Sequence, residues 1–105
     1  MLGFWQIEEH RGALRNFFAS LIDQRDYADA AALLELLSVH GNQLRPPQSK
    51  SIGEGLFELR GKQVRLFYVF RSGRRVVVLG GIVKKRSDIP RDVLDRMRRL
   101  ARQVS

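Results

Sequence analysis

Cysteine is absent from this 105-residue chain, which excludes a disulfide framework, thiolate metal centres and cysteine nucleophiles. Histidine is scarce: His10 and His40 are the only two, and they stand far apart with no ligand spacing between them. A metal-dependent reaction or a Ser-His-Asp arrangement therefore lacks material. No apolar run approaches the ~20 residues that span a bilayer. The start, MLGFWQIEEH, has neither the positive charge nor the long apolar region of a secretory leader. These absences lead us to expect a cytoplasmic protein with no membrane contact. Gly53-Glu54-Gly55 is followed by neither a P-loop lysine nor a helix, so it is not a phosphate loop. No internal repeat or low-complexity segment occurs, and the length suits one domain over 1–105.

Acidic residues thin out along the chain. Residues 1–44 carry three cations and six anions, whereas 45–105 carry sixteen cations and five anions, giving a net charge of +8. So lopsided a split points to an anionic partner, most often nucleic acid. The plain alternative is a solubilising surface.

Periodicity gives the elements. LGFWQI (2–7) reads as a first strand. Leu14, Phe17, Phe18, Leu21 and Ile22 recur at helical spacing over roughly 9–24. Asp26 suits the N-cap of a second helix with Asp29 in its first turn and apolar Ala30, Leu33, Leu34 and Leu37, which Gly41 ends. The short link between the two predicts a helical hairpin. GNQLRPPQSKSIGEG (41–55) reads as a loop. Three strands follow, 55–60, 64–70 and 75–83, joined by Gly61-Lys62 and Ser72-Gly73 as an antiparallel meander. Ser87 or Asp88 can cap a last helix with Pro90 in its first turn and Ile89, Val93, Met97, Leu100 and Val104 as its apolar stripe. The expected class is α+β, in the order β-α-α-β-β-β-α: a small antiparallel sheet, an N-terminal helical hairpin and a C-terminal helix, with the helices mainly on one face.

The chemistry that remains is cationic. Arg60, Lys62, Arg65, Lys84, Lys85 and Arg86 fall at strand ends. A tight turn at 72–73 sets Phe70 opposite roughly Arg75 and Arg65 opposite roughly Gly80. The Gly80-Gly81 pair would then leave room around the Arg65 guanidinium, and all six cations converge at one end of the sheet. Such a cluster suits a phosphodiester, because guanidinium and ammonium groups fix phosphate oxygens and stabilise a pentavalent transition state without a metal or other cofactor. RNA can then be cut by its own 2′-hydroxyl if a group moves a proton. Glu58 is a possible base, although a salt bridge to a neighbouring arginine is its commoner role. A lysine whose pKa the cluster lowers is the other candidate.

The run GLFELR, then VRLFYVF, then VVVLGGIVKKRSDIP, then a basic helix resembles the phage-derived HigB-like branch of the RelE/ParE toxin superfamily. The matching features are Leu56 to Arg60, Arg65 with Tyr68, and Lys84-Lys85 with Pro90. The resemblance implies a RelE-like fold and the toxin of a type II toxin–antitoxin pair. It further implies a ribosome-dependent mRNA endonuclease that inhibits translation, and two partners: mRNA on the ribosome and a cognate antitoxin of helix-turn-helix type. It assigns Arg65, Lys84 and Lys85 to catalysis and Arg60 to a supporting phosphate contact; Lys62 and Arg86, from the cation cluster itself, complete the expected RNA-binding set. The family's histidine and aromatic near Gly80 and Ile82, and its threonine near Arg86, have no counterpart here. ParE-like relatives share the fold and inhibit DNA gyrase instead. A plain nucleic-acid-binding module is the third possibility, marked by affinity that falls steeply with salt.

Overall fold

Each boundary in the fold follows from a residue that can hold it. The computed structural model describes residues 4–84 and 88–104. β1 is Gln6–Glu9, after which Arg11 and Gly12 take left-handed backbone (φ 51° and 73°) and turn the chain into α1, Ala13–Ser20. The helix is shorter than its apolar periodicity suggests, because this turn consumes its start and Leu21 is already extended. α2, Gln24–His40, starts at Asp23 rather than Asp26. The Asp23 carboxylate accepts the Arg25 N–H at 2.8 Å, and Asp26 sits in the first turn, where negative charge favours the helix dipole. Gly41, at φ 50°, ends it, and its N–H bonds the Leu37 carbonyl. A Cβ at Gly41 would lie 2.2 Å from the Trp5 indole, so glycine is needed there twice over.

A short strand interrupts the expected loop: β2, Ser49–Ser51, pairs antiparallel with β3, Leu56–Arg60. The buried 2.6 Å hydrogen bond between the hydroxyls of Ser49 and Tyr68 anchors it. β4 (Val64–Arg71) and β5 (Arg75–Val83) complete the sheet, in the order β1-β5-β4-β3-β2. β1 runs parallel to β5, so the sheet is mixed rather than wholly antiparallel. The last helix, α3, is Arg91–Val104, and the Pro90 carbonyl accepts the N–H groups of Val93 and Leu94. Ser87, one of the two expected caps, lies outside the described residues.

Helices cover both faces of the sheet, not mainly one. On one face, Phe17 of α1 and Ala30, Leu33 and Leu37 of α2 pack with Leu59, Val64, Leu66, Tyr68, Val76 and Val78. On the other, Met97 and Ala101 of α3 pack with Leu56, Phe67, Val69, Val77 and Leu79. Every expected residue of the α3 stripe takes part, together with Leu94.

The β4–β5 register differs from the expected one for two reasons. Arg71 pairs with Arg75 around a three-residue turn, which puts Phe70 opposite Val76. A bulge between Phe67 and Tyr68 then slips the pairing once more, and Arg65 lies opposite Ile82. The glycines therefore do not make room for Arg65. A Cβ on Gly80 would come within 2.8 Å of Met97, and one on Gly81 within 2.8 Å of Leu66 and 3.1 Å of Phe17. They admit a helix side chain on each face, the close approach that an interior strand glycine permits.

Candidate active site

At one end of the sheet β3 stops at Arg60, β4 begins at Val64 and β5 stops at Val83. Arg60 and Arg65 are direct cross-strand partners, an arrangement that like charges disfavour. Glu58 offsets it. Two residues before Arg60 and on the same face of β3, its side chain is only 2% exposed, and it faces both guanidiniums. Oε1 accepts from Arg60 Nε at 3.3 Å, while Oε2 lies 3.6 Å from Arg65 Nε, an ion pair too long for a hydrogen bond. Among the described residues neither Glu58 Oε2 nor Arg65 Nε, both buried, has a hydrogen-bond partner. Arg65 also donates through Nη1 to the carbonyls of Gly61 and Val64, both at 3.0 Å. This guanidinium is held from two sides, and one net positive charge is left on the three residues.

The turn that carries these groups is tied to α2. Asp29 Oδ2 accepts the backbone N–H groups of Gln63 at 3.0 Å and Val64 at 3.1 Å. Burial pushes the Asp29 carboxyl up, but the N–H groups of Gln63, Val64 and Lys62 and the Lys62 charge outweigh it and hold the pKa below the usual value. A Cβ on Gly61 would sit 2.4 Å from Asp29 Oδ1, so only glycine lets the carboxylate come this close. From sequence, Asp29 reads only as a first-turn residue; its hold on a turn more than thirty residues away leaves no local signal.

The turn divides the expected cations. Arg60 and Arg65 line a cleft of about 800 Å³, with Gly61, Leu36 and His40 of α2, and the segment from Gln43 to Gln48. Lys62 instead lines a separate depression with Asp23, Asp26 and Asp29. Lys84 follows β5 directly, and its N–H donates to the Gln63 carbonyl at 2.7 Å, which fixes its backbone at the same turn. Lys85 and Arg86 lie outside the described residues. The Gln48 carbonyl accepts the Arg60 N–H at 2.7 Å and joins the 43–48 segment to the site. Gln43, Arg45 and Gln48 escape a reading by motif because their segment looks like a plain loop, and His40 because a lone histidine at a helix end has no ligand spacing.

Tyr68 is fully buried. Its ring stacks on Phe57 with centroids 5.6 Å apart. Burial raises its pKa, against the opposing hydrogen bond from Ser49. It is built into the core rather than presented to a ligand. Among the described residues no group of three His, Asp or Glu side chains could hold a metal ion, and no helix is long and apolar enough to cross a membrane.

Comparison with known proteins adds two findings. A family model described as phage-derived protein Gp49-like matches residues 8–102. Among solved structures, the fold is similar to a chain in the crystal structure of the toxin–antitoxin complex RelBE2 from Mycobacterium tuberculosis. The TM-score is 0.60 at 21% identity, over 79% of this chain and 100% of that one. No curated protein matches.

Proposed function

From the premise that the chain belongs to the phage-derived Gp49-like family, a RelE-type toxin family, we propose that it is the toxin of a toxin–antitoxin pair and cuts messenger RNA on the ribosome. The observation that carries this reading is the Arg60–Glu58–Arg65 group at the cleft. Arg65 is pre-oriented by the two carbonyls, so little ordering remains when its other N–H groups meet a phosphate. In the proposed reaction the substrate's 2′-oxygen bonds to phosphorus as the bond from phosphorus to the 5′-oxygen breaks. A base takes the 2′-hydroxyl proton, and the leaving 5′-oxygen gains one. The products are a 2′,3′-cyclic phosphate and a 5′-hydroxyl, and no metal or cofactor takes part. Arg65, Lys84 and Lys85 stabilise the charge that builds on phosphorus, while Arg60 and Arg86 hold the flanking backbone; Lys62, in the separate depression with Asp23, Asp26 and Asp29, has no part in it. The burial of Glu58 and its two guanidinium contacts support an orienting role better than a base role. The reading places the protein in the cytoplasm with its mRNA. It also gives it a cognate antitoxin of helix-turn-helix type as partner; the RelBE2 structure is itself a toxin–antitoxin complex.

The test is brief expression followed by mapping of mRNA 5′ ends, for the native chain and for Arg65→Ala. In-frame cuts in coding regions, lost in the variant, are the expected result. Cutting that survives Arg65→Ala removes the site assignment. One observation favours a second reading, a ParE-like inhibitor of gyrase: Tyr68 is buried, and beyond it Phe70 is the last aromatic of the chain. That reading gives arrested topoisomerase and intact mRNA in the same experiment.

A further inference from the structure

The cleft is larger than a site for one phosphate, and its far wall has no role in the reaction just described. That wall consists of Leu36 and His40, one turn apart on α2, and of Gln43, Leu44, Arg45, Pro46, Pro47 and Gln48. Together they give apolar surface, two amides, a third arginine and an imidazole. The charged groups that share the cleft with His40 are Arg45, Arg60 and Arg65, and among the described residues no carboxylate lines it. The mixture is selective. A deep apolar groove without charge suits a hydrophobic helix, and a purely cationic one suits a bare phosphate. Apolar patches between cations suit a single nucleic-acid strand, whose bases rest on the patches while successive phosphates meet the charges.

Arg45 is prepared for such a contact. Its Nη1 donates to the carbonyls of Asn42 at 3.0 Å and Leu44 at 3.2 Å, which fixes the guanidinium on its own loop. The side chain is exposed, and it forms no ion pair among the described residues. The loop is itself attached to the site through the bond from Arg60 N–H to the Gln48 carbonyl. The Leu36–His40 wall adds about 6 Å of helix along the cleft.

We propose that this cleft is a groove for a single RNA strand running away from the Arg60–Arg65 site. Arg45 is its second phosphate contact, and Leu36, Leu44 and Pro47 are the surface on which a base rests. The inference rests on the nuclease reading only for the identity of the strand as substrate.

The test separates the two. A fluorescein-labelled single-stranded 2′-O-methyl oligoribonucleotide, which cannot be cut, is titrated with the full chain at several salt concentrations and followed by anisotropy. Arg45→Ala is expected to weaken binding about fivefold and to lower the salt slope by ~0.7, the loss of one single-strand phosphate contact. Leu44→Ala is expected to weaken binding with the slope unchanged. An unchanged affinity and slope in Arg45→Ala overturns the groove. So does a result in which that variant weakens a labelled polyglutamate peptide more than the RNA, since the groove then belongs to an acidic protein segment. Mapping of mRNA 5′ ends runs alongside. A native chain that binds the probe through Arg45 but leaves mRNA intact keeps the groove and sinks the nuclease reading. One that cuts mRNA with no dependence of binding on Arg45 does the reverse.

Discussion

Replacing Glu58 by glutamine separates an orienting carboxylate from a catalytic one. At the observed distances of 3.3 and 3.6 Å, each ion pair is worth roughly 4–5 kcal/mol of gross Coulomb energy at an effective dielectric near 20. Burial of the carboxylate cancels much of this. The Arg60 side chain is 35% exposed and turns to water when its partner goes, so its pair is discounted. The Arg65 side chain is only 13% exposed and lacks that escape. Glutamine keeps the shape and one acceptor but leaves two arginines paired across the strands with no counter-charge. A net loss of about 2–3 kcal/mol follows. That is a large share of the ~5–15 kcal/mol that holds a domain together, but not all of it. The assay is urea and thermal unfolding followed by circular dichroism, where this loss corresponds to a Tm lower by about 8–20 °C. A stability change below about 0.5 kcal/mol together with abolished RNA cutting would refute the reasoning, because Glu58 would then serve chemistry and not the arginine pair.

The other predictions concern the turn. Asp29 has a folded pKa below its unfolded value, so its stabilisation is complete above the unfolded pKa near ~3.9 and fades as pH falls through the folded one. Asp29→Asn is expected to flatten the loss of stability below about pH 4, with a cost near 1 kcal/mol at neutral pH from weaker bonds to Gln63 and Val64; unfolding curves across pH 2–7 that superimpose with the native ones would show that the contact is not made in solution. Gly61→Ala puts a Cβ against the Asp29 carboxylate and is expected to cost about 2 kcal/mol by overpacking. In the Asp29→Ala background the same change is expected to cost markedly less, and strict additivity in a double-mutant cycle would contradict the contact.

How far the sequence reaches depends on whether a feature is set by neighbours along the chain or across it. The strands at 55–60, 64–70 and 75–83 are legible because alternation and β-branched residues act locally, and the apolar stripe of α3 is legible for the same reason. The α+β class follows from those elements. The pairing of β1 with β5 is not legible, since a four-residue strand whose burial does not alternate fits a parallel edge as well as an antiparallel one. The β4–β5 register fails at a finer level. A third turn residue and one bulge move Arg65 from Gly80 to Ile82, and neither leaves a mark on the hydrophobic pattern. That slip changes what Gly80-Gly81 is for: the glycines make room for Met97 and Phe17, not for an arginine.

The site divides along the same line. That Arg60 and Arg65 sit near each other can be read from two short strands and a turn. That they are tolerable neighbours cannot, because it depends on Glu58 being buried between them. Nor can the position of the turn itself, which Asp29 sets from α2. Lys62 illustrates the consequence. By sequence it belongs with Arg60, two residues away, yet the bonds from Asp29 hold the turn so that Lys62 lines the acidic depression while Arg60 lines the cleft. A cation cluster counted along a sequence therefore overstates what one ligand meets. Its effective membership is fixed by the carboxylates that pin the backbone between the cations.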